Sequence, residues 1–204
     1  DSSLDALGRD LPWSGGEQHP AELHHAGRAY PVQFRYRGLV VTSHFLGSKK
    51  SFRVTFEGGS PFGRIRRMNF INPKTPDMLN VHMALWLARS MGAAVPFDDF
   101  AVVHMKGRAL GVMEMTEQID GSFEQAPEGG EVPVFKGDYP PAEGRAVPDR
   151  RALWKDAANW VFTGKADSAR AGTRLRALVE RIGADGDPDS VRAHLPDLLD
   201  VPLY

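Results

Sequence analysis

Two adjacent lysines, Lys49 and Lys50, stand at the head of the run Ser51-Phe52-Arg53-Val54-Thr55-Phe56. That run alternates with the period of two of a β-strand, so Lys50 falls on the apolar parity with Phe52, Val54 and Phe56, and Lys49 goes with Ser51, Arg53 and Thr55. An ammonium delivered to the core side of a strand end seeks an anion. Lys50 is therefore the first candidate for anion binding and Lys49 the second, with snorkelling to solvent from an ordinary edge strand as the plain alternative.

The surrounding elements must position this pair. Upstream, Tyr30, Val32, Phe34 and Tyr36 alternate with Gln33, Arg35 and Arg37 and read as a second strand of the same antiparallel sheet. Downstream, Thr75-Pro76-Asp77 has the composition of a helix start, and Leu79, Met83, Trp86, Leu87 and Met91 recur at helical spacing as far as Gly92. Phe100 to Met105 and Ala109 to Met115 flank Lys106-Gly107-Arg108 and predict a hairpin that runs into Glu117-Gln118-Ile119-Asp120. Phe34, Phe52, Val54, Phe56, Leu79, Met83, Leu87 and Val112 are expected to share one core, with the helix packed on the sheet.

This order of strands, lysine strand, helix, hairpin and polar connector resembles the small lobe of a protein kinase, and more specifically the CotH kinase family of spore-coat atypical kinases. The likeness is carried by Arg35-Tyr36-Arg37-Gly38, Lys49-Lys50-Ser51-Phe52-Arg53-Val54, Met68-Asn69-Phe70, Leu87-Ala88-Arg89-Ser90-Met91-Gly92, Gly111-Val112-Met113, Glu117-Gln118-Ile119-Asp120 and Phe135-Lys136-Gly137-Asp138. It implies an α+β, kinase-like fold, with an antiparallel small lobe bearing one packed helix and the start of a helical large lobe. It also implies ATP and Mg or Mn as cofactors, phosphorylation of hydroxyl side chains on a protein partner, and an extracytoplasmic, cell-surface or spore-coat location. The alternative is a kinase-like surface protein that acts by binding partners without transferring phosphate.

Within the resemblance, Lys50, Lys49, Arg37 and Glu117 are the candidate nucleotide-binding residues. Arg37 beside Gly38 is the auxiliary cation, or else a solvent-face arginine on a strand, and Glu117 stands where a connector meets the nucleotide, or else is a solvated connector charge. No G-x-G-x-x-G loop lies between Gly38 and Lys49. The helix offers no glutamate to pair with Lys50, so such an acid would come from elsewhere. Asp120 reads as a helix N-cap and Asp138 as a loop residue rather than as catalytic groups. The family's catalytic and metal-binding carboxylates are expected beyond Asp200-Val201-Pro202-Leu203-Tyr204, so no catalytic residue or metal ligand is assigned here, and the 204-residue chain alone is expected to transfer no phosphate.

Composition bounds the remaining classes. With 204 residues, 42% hydrophobic, and a net charge of -1, the chain can bury a sizeable core and has no general attraction to nucleic acid. It has no cysteine, hence no disulfide framework, and no run long and apolar enough for a membrane span or a signal peptide. Its seven histidines show no H-E-x-x-H spacing. The expected organisation is a lead-in over 1–27, a small lobe over 28–120, a connector with loops over 121–149 and an incomplete helical lobe over 150–204. Helices are expected from Arg150 to Phe162, from Ser168 to Ile182 and from Asp189 to His194.

Overall fold

The computed structural model describes residues 2–9, 17–37, 49–73, 79–119, 134–137, 157–162 and 168–185. The chain divides into two compact units, Asp1–Ile119 and Asp120–Tyr204. The first is a mixed, strand-rich α+β unit. A short helix, α1 (Ser2–Gly8), is followed by β1 (His19–His25), β2 (Arg28–Tyr36), β3 (Phe52–Phe56), β4 (Arg67–Ile71), helix α2 (Asn80–Ser90), β5 (Asp98–Met105) and β6 (Arg108–Glu117). The six strands form one curled antiparallel sheet in the order β1-β2-β3-β4-β6-β5.

Strand alternation settles the two faces of this sheet. Phe52, Val54 and Phe56 of β3 are all at most 4% exposed, and with Val32, Phe34, Met68, Phe70, Met113 and Met115 they form the apolar face. Phe52 stacks on Phe70 at 4.7 Å between ring centroids and tilts against Phe34 at 5.1 Å. Leu7 of α1 is fully buried in the same cluster. The curl of the sheet and α1 cover this face in part, and a cavity of about 810 Å³ is left among residues that include Leu4, Leu7, Phe34, Phe52, Phe62 and Met115.

Two hairpins fix the register. In each, a two-residue turn places both central residues at positive φ, Ala26 (49°) and Gly27 (75°) between β1 and β2, and Lys106 (51°) and Gly107 (75°) between β5 and β6. This is the I′ geometry whose twist matches antiparallel strands. Gly107→Ala is expected to destabilise the unit by about 1 kcal/mol, because a Cβ is strained at that φ although the space around it is open. Equilibrium urea unfolding measures it.

Helix α2 departs from the expected packing. It ends as expected, with Gly92 at φ 82° and the Ala93 N–H bonded back to the Ala88 carbonyl at 2.9 Å. The stripe expected to be buried is exposed: Leu79 at 50%, Met83 at 60%, Trp86 at 59%, and Leu87 at 54%. Val112, also expected in the core, is 37% exposed. The physical reason is that α1 and the curl of the sheet already stand over the apolar face. Helix α2 approaches the opposite, polar face instead, with half-buried His82, Leu85 and Ala88 as its inward stripe.

The second unit contains β7 (Phe135–Gly137) paired antiparallel with β8 (Trp160–Phe162), a short 3₁₀ turn over Ala157–Asn159, and helix α3 (Ser168–Asp185). The expected helix over Ser168 to Ile182 is present, with Leu178 and Val179 buried. The helix expected from Arg150 to Phe162 is not formed at its C-terminal end. Trp160-Val161-Phe162, aromatic and β-branched, pairs with β7 as a strand instead, and Phe135 meets Phe162 edge-on at 5.4 Å. Thr75-Pro76-Asp77, Asp120, Asp138 and the expected helix from Asp189 to His194 lie outside the described residues.

Candidate functional site

Register carries one set of side chains across the polar face. Arg35 faces Arg53, Arg53 faces Asn69, Asn69 faces Thr116, and Thr116 faces Asp98. Two residues further along lies a parallel row. The Arg37 N–H donates to the Ser51 carbonyl at 3.1 Å, and Ile71 faces Glu114, which faces Phe100. Cations therefore gather on the β2 and β3 side of this face and acids on the β5 and β6 side.

The cationic side is built by short-range bonding. Arg53 Nε donates to Asn69 Oδ1 at 2.8 Å and its guanidinium also donates to Gln118 Oε1, to which Asn69 Nδ2 donates at 3.2 Å. Arg35 and Arg37 are half-buried, and burial, reinforced by a neighbouring arginine, lowers the pKa of each, with Glu114 opposing the shift at Arg37. Two half-buried guanidinium groups side by side make a standing positive potential on this face.

The two lysines separate. Lys50 keeps the apolar parity, and its Nζ lies 5.9 Å from the centroid of the Tyr36 ring, a cation–π placement. Lys49 Nζ donates to the Val112 carbonyl at 2.5 Å. This contact forms where β4 has ended at Ile71 and β6 would otherwise show a free edge. Asn72 closes the same gap, its Nδ2 donating to the Lys49 carbonyl and its N–H to Ser51 Oγ, each at 2.9 Å. Ser51 is fully buried.

Of the candidates read from sequence, Arg37 and Lys49 thus lie on the polar face, Arg37 beside Ser51 and Lys49 with its Nζ on the Val112 carbonyl. Lys50, placed first among the candidates, turns toward Tyr36. Glu117 lies in the row Phe34, Val54, Met68, Glu117, on the apolar side. It is 6% exposed, and its Oε2 accepts the Phe97 N–H at 3.1 Å while its own N–H donates to the Phe97 carbonyl at 2.9 Å. Its carboxylate fastens the start of the connector.

Three residues at the acidic side escaped the sequence reading. Glu114 and Asp98 are each 6% exposed, and His82 Nδ1 lies 2.5 Å from Asp98 Oδ2. His82 lies off the apolar stripe of the helix, yet it reaches the sheet and also packs on Phe100 at 5.3 Å. A visible signal for Glu114 was a lone charge inside the apolar run Val112-Met113-Glu114-Met115. Burial pushes the Glu114 carboxyl up, and the Asp98 charge and a hydrogen bond between the two carboxyl groups add to this, while Arg37 and His82 oppose it.

That shift has a sign that can be measured. An acid raised in the folded state contributes stability that is complete below its unfolded pKa, about 4.3, and is lost as pH rises through the folded value. Glu114→Gln, which keeps the shape of the protonated acid, is therefore expected to gain stability relative to the native chain as pH rises from the ordinary glutamate range. Urea unfolding across pH checks this, and a gap independent of pH would contradict it.

The chain belongs to the CotH kinase family: the model of that family, described as CotH kinase protein, matches residues 34–204. Membership points to a kinase-like function as the broad class. No curated protein sequence matches the chain. Among the described residues no helix is long and apolar enough to cross a membrane.

Proposed function

We propose that the chain carries the nucleotide-binding part of a kinase-like fold that phosphorylates hydroxyl side chains of a protein partner, with ATP and Mg or Mn, outside the cytoplasm at the cell surface or spore coat. The observation that carries this reading is that Arg37 and Lys49 share the polar face of the sheet, Arg37 beside Ser51 and Lys49 with its Nζ on the Val112 carbonyl, in a chain of the CotH kinase family. In phosphoryl transfer a cation on the nucleotide phosphates supplies electrostatic stabilisation that positioning alone does not. Arg37 offers a planar fork of donors for phosphate oxygens, and Lys49 a compact point charge. Lys50 is the auxiliary cation at the edge. Glu117 serves the site by holding the start of the connector against Phe97.

Bound with the nucleotide, the divalent ion would neutralise charge between the phosphates. Among the described residues no set of three His, Cys, Asp or Glu side chains is arranged to hold a metal, so its protein ligands are not assigned to Asp98 or Glu114.

A second reading, partner binding without transfer, rests on the exposed stripe Leu79, Met83, Trp86, Leu87 and Met91. Calorimetric titration of the chain with ATP and Mg separates the two. Saturable binding that phosphate-free adenosine does not reproduce supports the first. No heat at millimolar ATP favours the second.

A further inference from the structure

Helix α2 is fastened to the sheet by polar contacts at its two ends rather than by a core. None of its 11 residues is buried, and its N-cap, Leu79, makes no side-chain capping bond. Near its start, His82 Nδ1 lies 2.5 Å from Asp98 Oδ2 and the ring packs on Phe100 at 5.3 Å between centroids. At its end, the Arg89 guanidinium donates to the Pro96 carbonyl at 3.2 Å. Beyond the helix the chain runs through exposed Gly92, Ala93 and Ala94 before it is anchored at buried Val95. Strand β3 is the opposite case, with Phe52, Val54 and Phe56 all in the core.

What lies beneath His82 follows from strand register. Asp98 faces Thr116 and Phe100 faces Glu114, so the imidazole stands over two adjacent cross-strand pairs of β5 and β6. Asp98 Oδ1, Glu114 Oε1 and Thr116 Oγ1 belong to these same pairs, and all three are buried with no hydrogen-bond partner among the described residues. The Asp98 side chain is 1% exposed, and its other oxygen takes its bond from His82.

We propose that helix α2 is a hinged cover on the polar face, latched by His82 on Asp98, and that it lifts from β5 and β6 while the rest of the sheet stays folded.

Two opposing effects poise it. The seated helix gains the charge-assisted bond to Asp98. It also keeps water from three polar atoms, a standing cost that hydration removes once the helix lifts. Lifting forfeits little apolar burial, because Leu79, Met83, Trp86 and Leu87 are already half-exposed or more in the seated helix. With the helix up, Asp98 and Glu114 meet water on the face that also carries Arg37 and Lys49. The position of the helix thereby sets how much negative charge that face shows, whatever binds there.

Native-state hydrogen exchange, read by mass spectrometry on the full 204-residue chain at rising urea below its unfolding midpoint, tests this. A lifted helix of 11 residues is too short to hold together in water, so its amides exchange whenever it lifts. Corrected for intrinsic rates, amides over Asn80–Ser90 are expected to exchange at least about 10-fold faster than those over Phe52–Phe56. Their rates should depend little on urea, the mark of an opening that exposes little surface. His82→Ala is expected to speed exchange of the helix about 10-fold and to leave β3 unchanged. Thr116→Val, which removes one of the unbonded groups, is expected to slow the helix about 3-fold, a direction that loss of an ordinary packing or bonding group would not give. Asp98→Asn cuts the latch from the other side should His82→Ala fail to fold, with faster exchange in the helix alone again expected. Helix and β3 amides of the native chain that open together, with the same urea dependence, would overturn the proposal. So would a His82→Ala chain whose helix exchanges no faster than the native one or whose helix and β3 accelerate alike, and so would a Thr116→Val chain with no slowing.

Discussion

Phe56→Ala is expected to cost about 3–5 kcal/mol of unfolding free energy, enough to threaten the first unit outright. The ring is 1% exposed, sits opposite Val32 across β2 and β3, and meets Tyr30 and Phe62 edge-on at 6.4 and 6.1 Å. Removing it leaves a cavity that Val32 and Val54, anchored on a paired sheet, cannot collapse to fill. Trp86→Ala removes an even larger side chain from the chain, yet it is expected to change stability by no more than about 0.5 kcal/mol, since that ring is 59% exposed. Urea midpoints of the two variants, compared with the native chain, decide the matter. Similar losses for both would show that the helical stripe is covered and that the core has been placed on the wrong elements.

That contrast also marks what the sequence could and could not convey. Alternation in Phe52-Arg53-Val54-Thr55-Phe56 identified the buried parity of β3 correctly, because one residue step switches faces and no other register buries all three apolar side chains. The Lys106-Gly107 turn was readable for a similar local reason, since glycine takes the positive φ of the second turn position without strain. Periodicity in α2 revealed a helix but not its orientation. An apolar stripe shows which face would gain from burial, while the space available is decided by elements far away in sequence, here α1 and the curl of β1 toward β5. The N-terminal stretch, without a clear period, reads as an extended strand or lead-in, and His19–His25 pairs along its whole length with β2.

The site was legible in the same uneven way. Arg37 and Lys49 are candidates by their charge and position, and their placement on the polar face depends on pairings that extend β2 and β3 by one residue and on Asn72 closing the gap after β4. Glu114 and Asp98 come from two strands and His82 from a helix, so no spacing in the sequence could assemble them. Taking the apolar parity as the ligand side puts Lys50 before Lys49, and the order we propose is the reverse. The folded chain fills that side with phenylalanine and methionine and gathers its guanidinium groups on the other.

Lys49 and Lys50 therefore give the most direct measurement of the central claim, that phosphate is held from the polar face. In calorimetric titrations with ATP and Mg, Lys49→Ala is expected to weaken binding by about 1.5–3 kcal/mol, the range for a charge-assisted contact, or roughly 10- to 150-fold. Lys50→Ala, whose ammonium rests over Tyr36, is expected to weaken it by less than about threefold. A larger loss for Lys50→Ala than for Lys49→Ala would contradict the account and move the nucleotide to the Tyr36 side of the sheet.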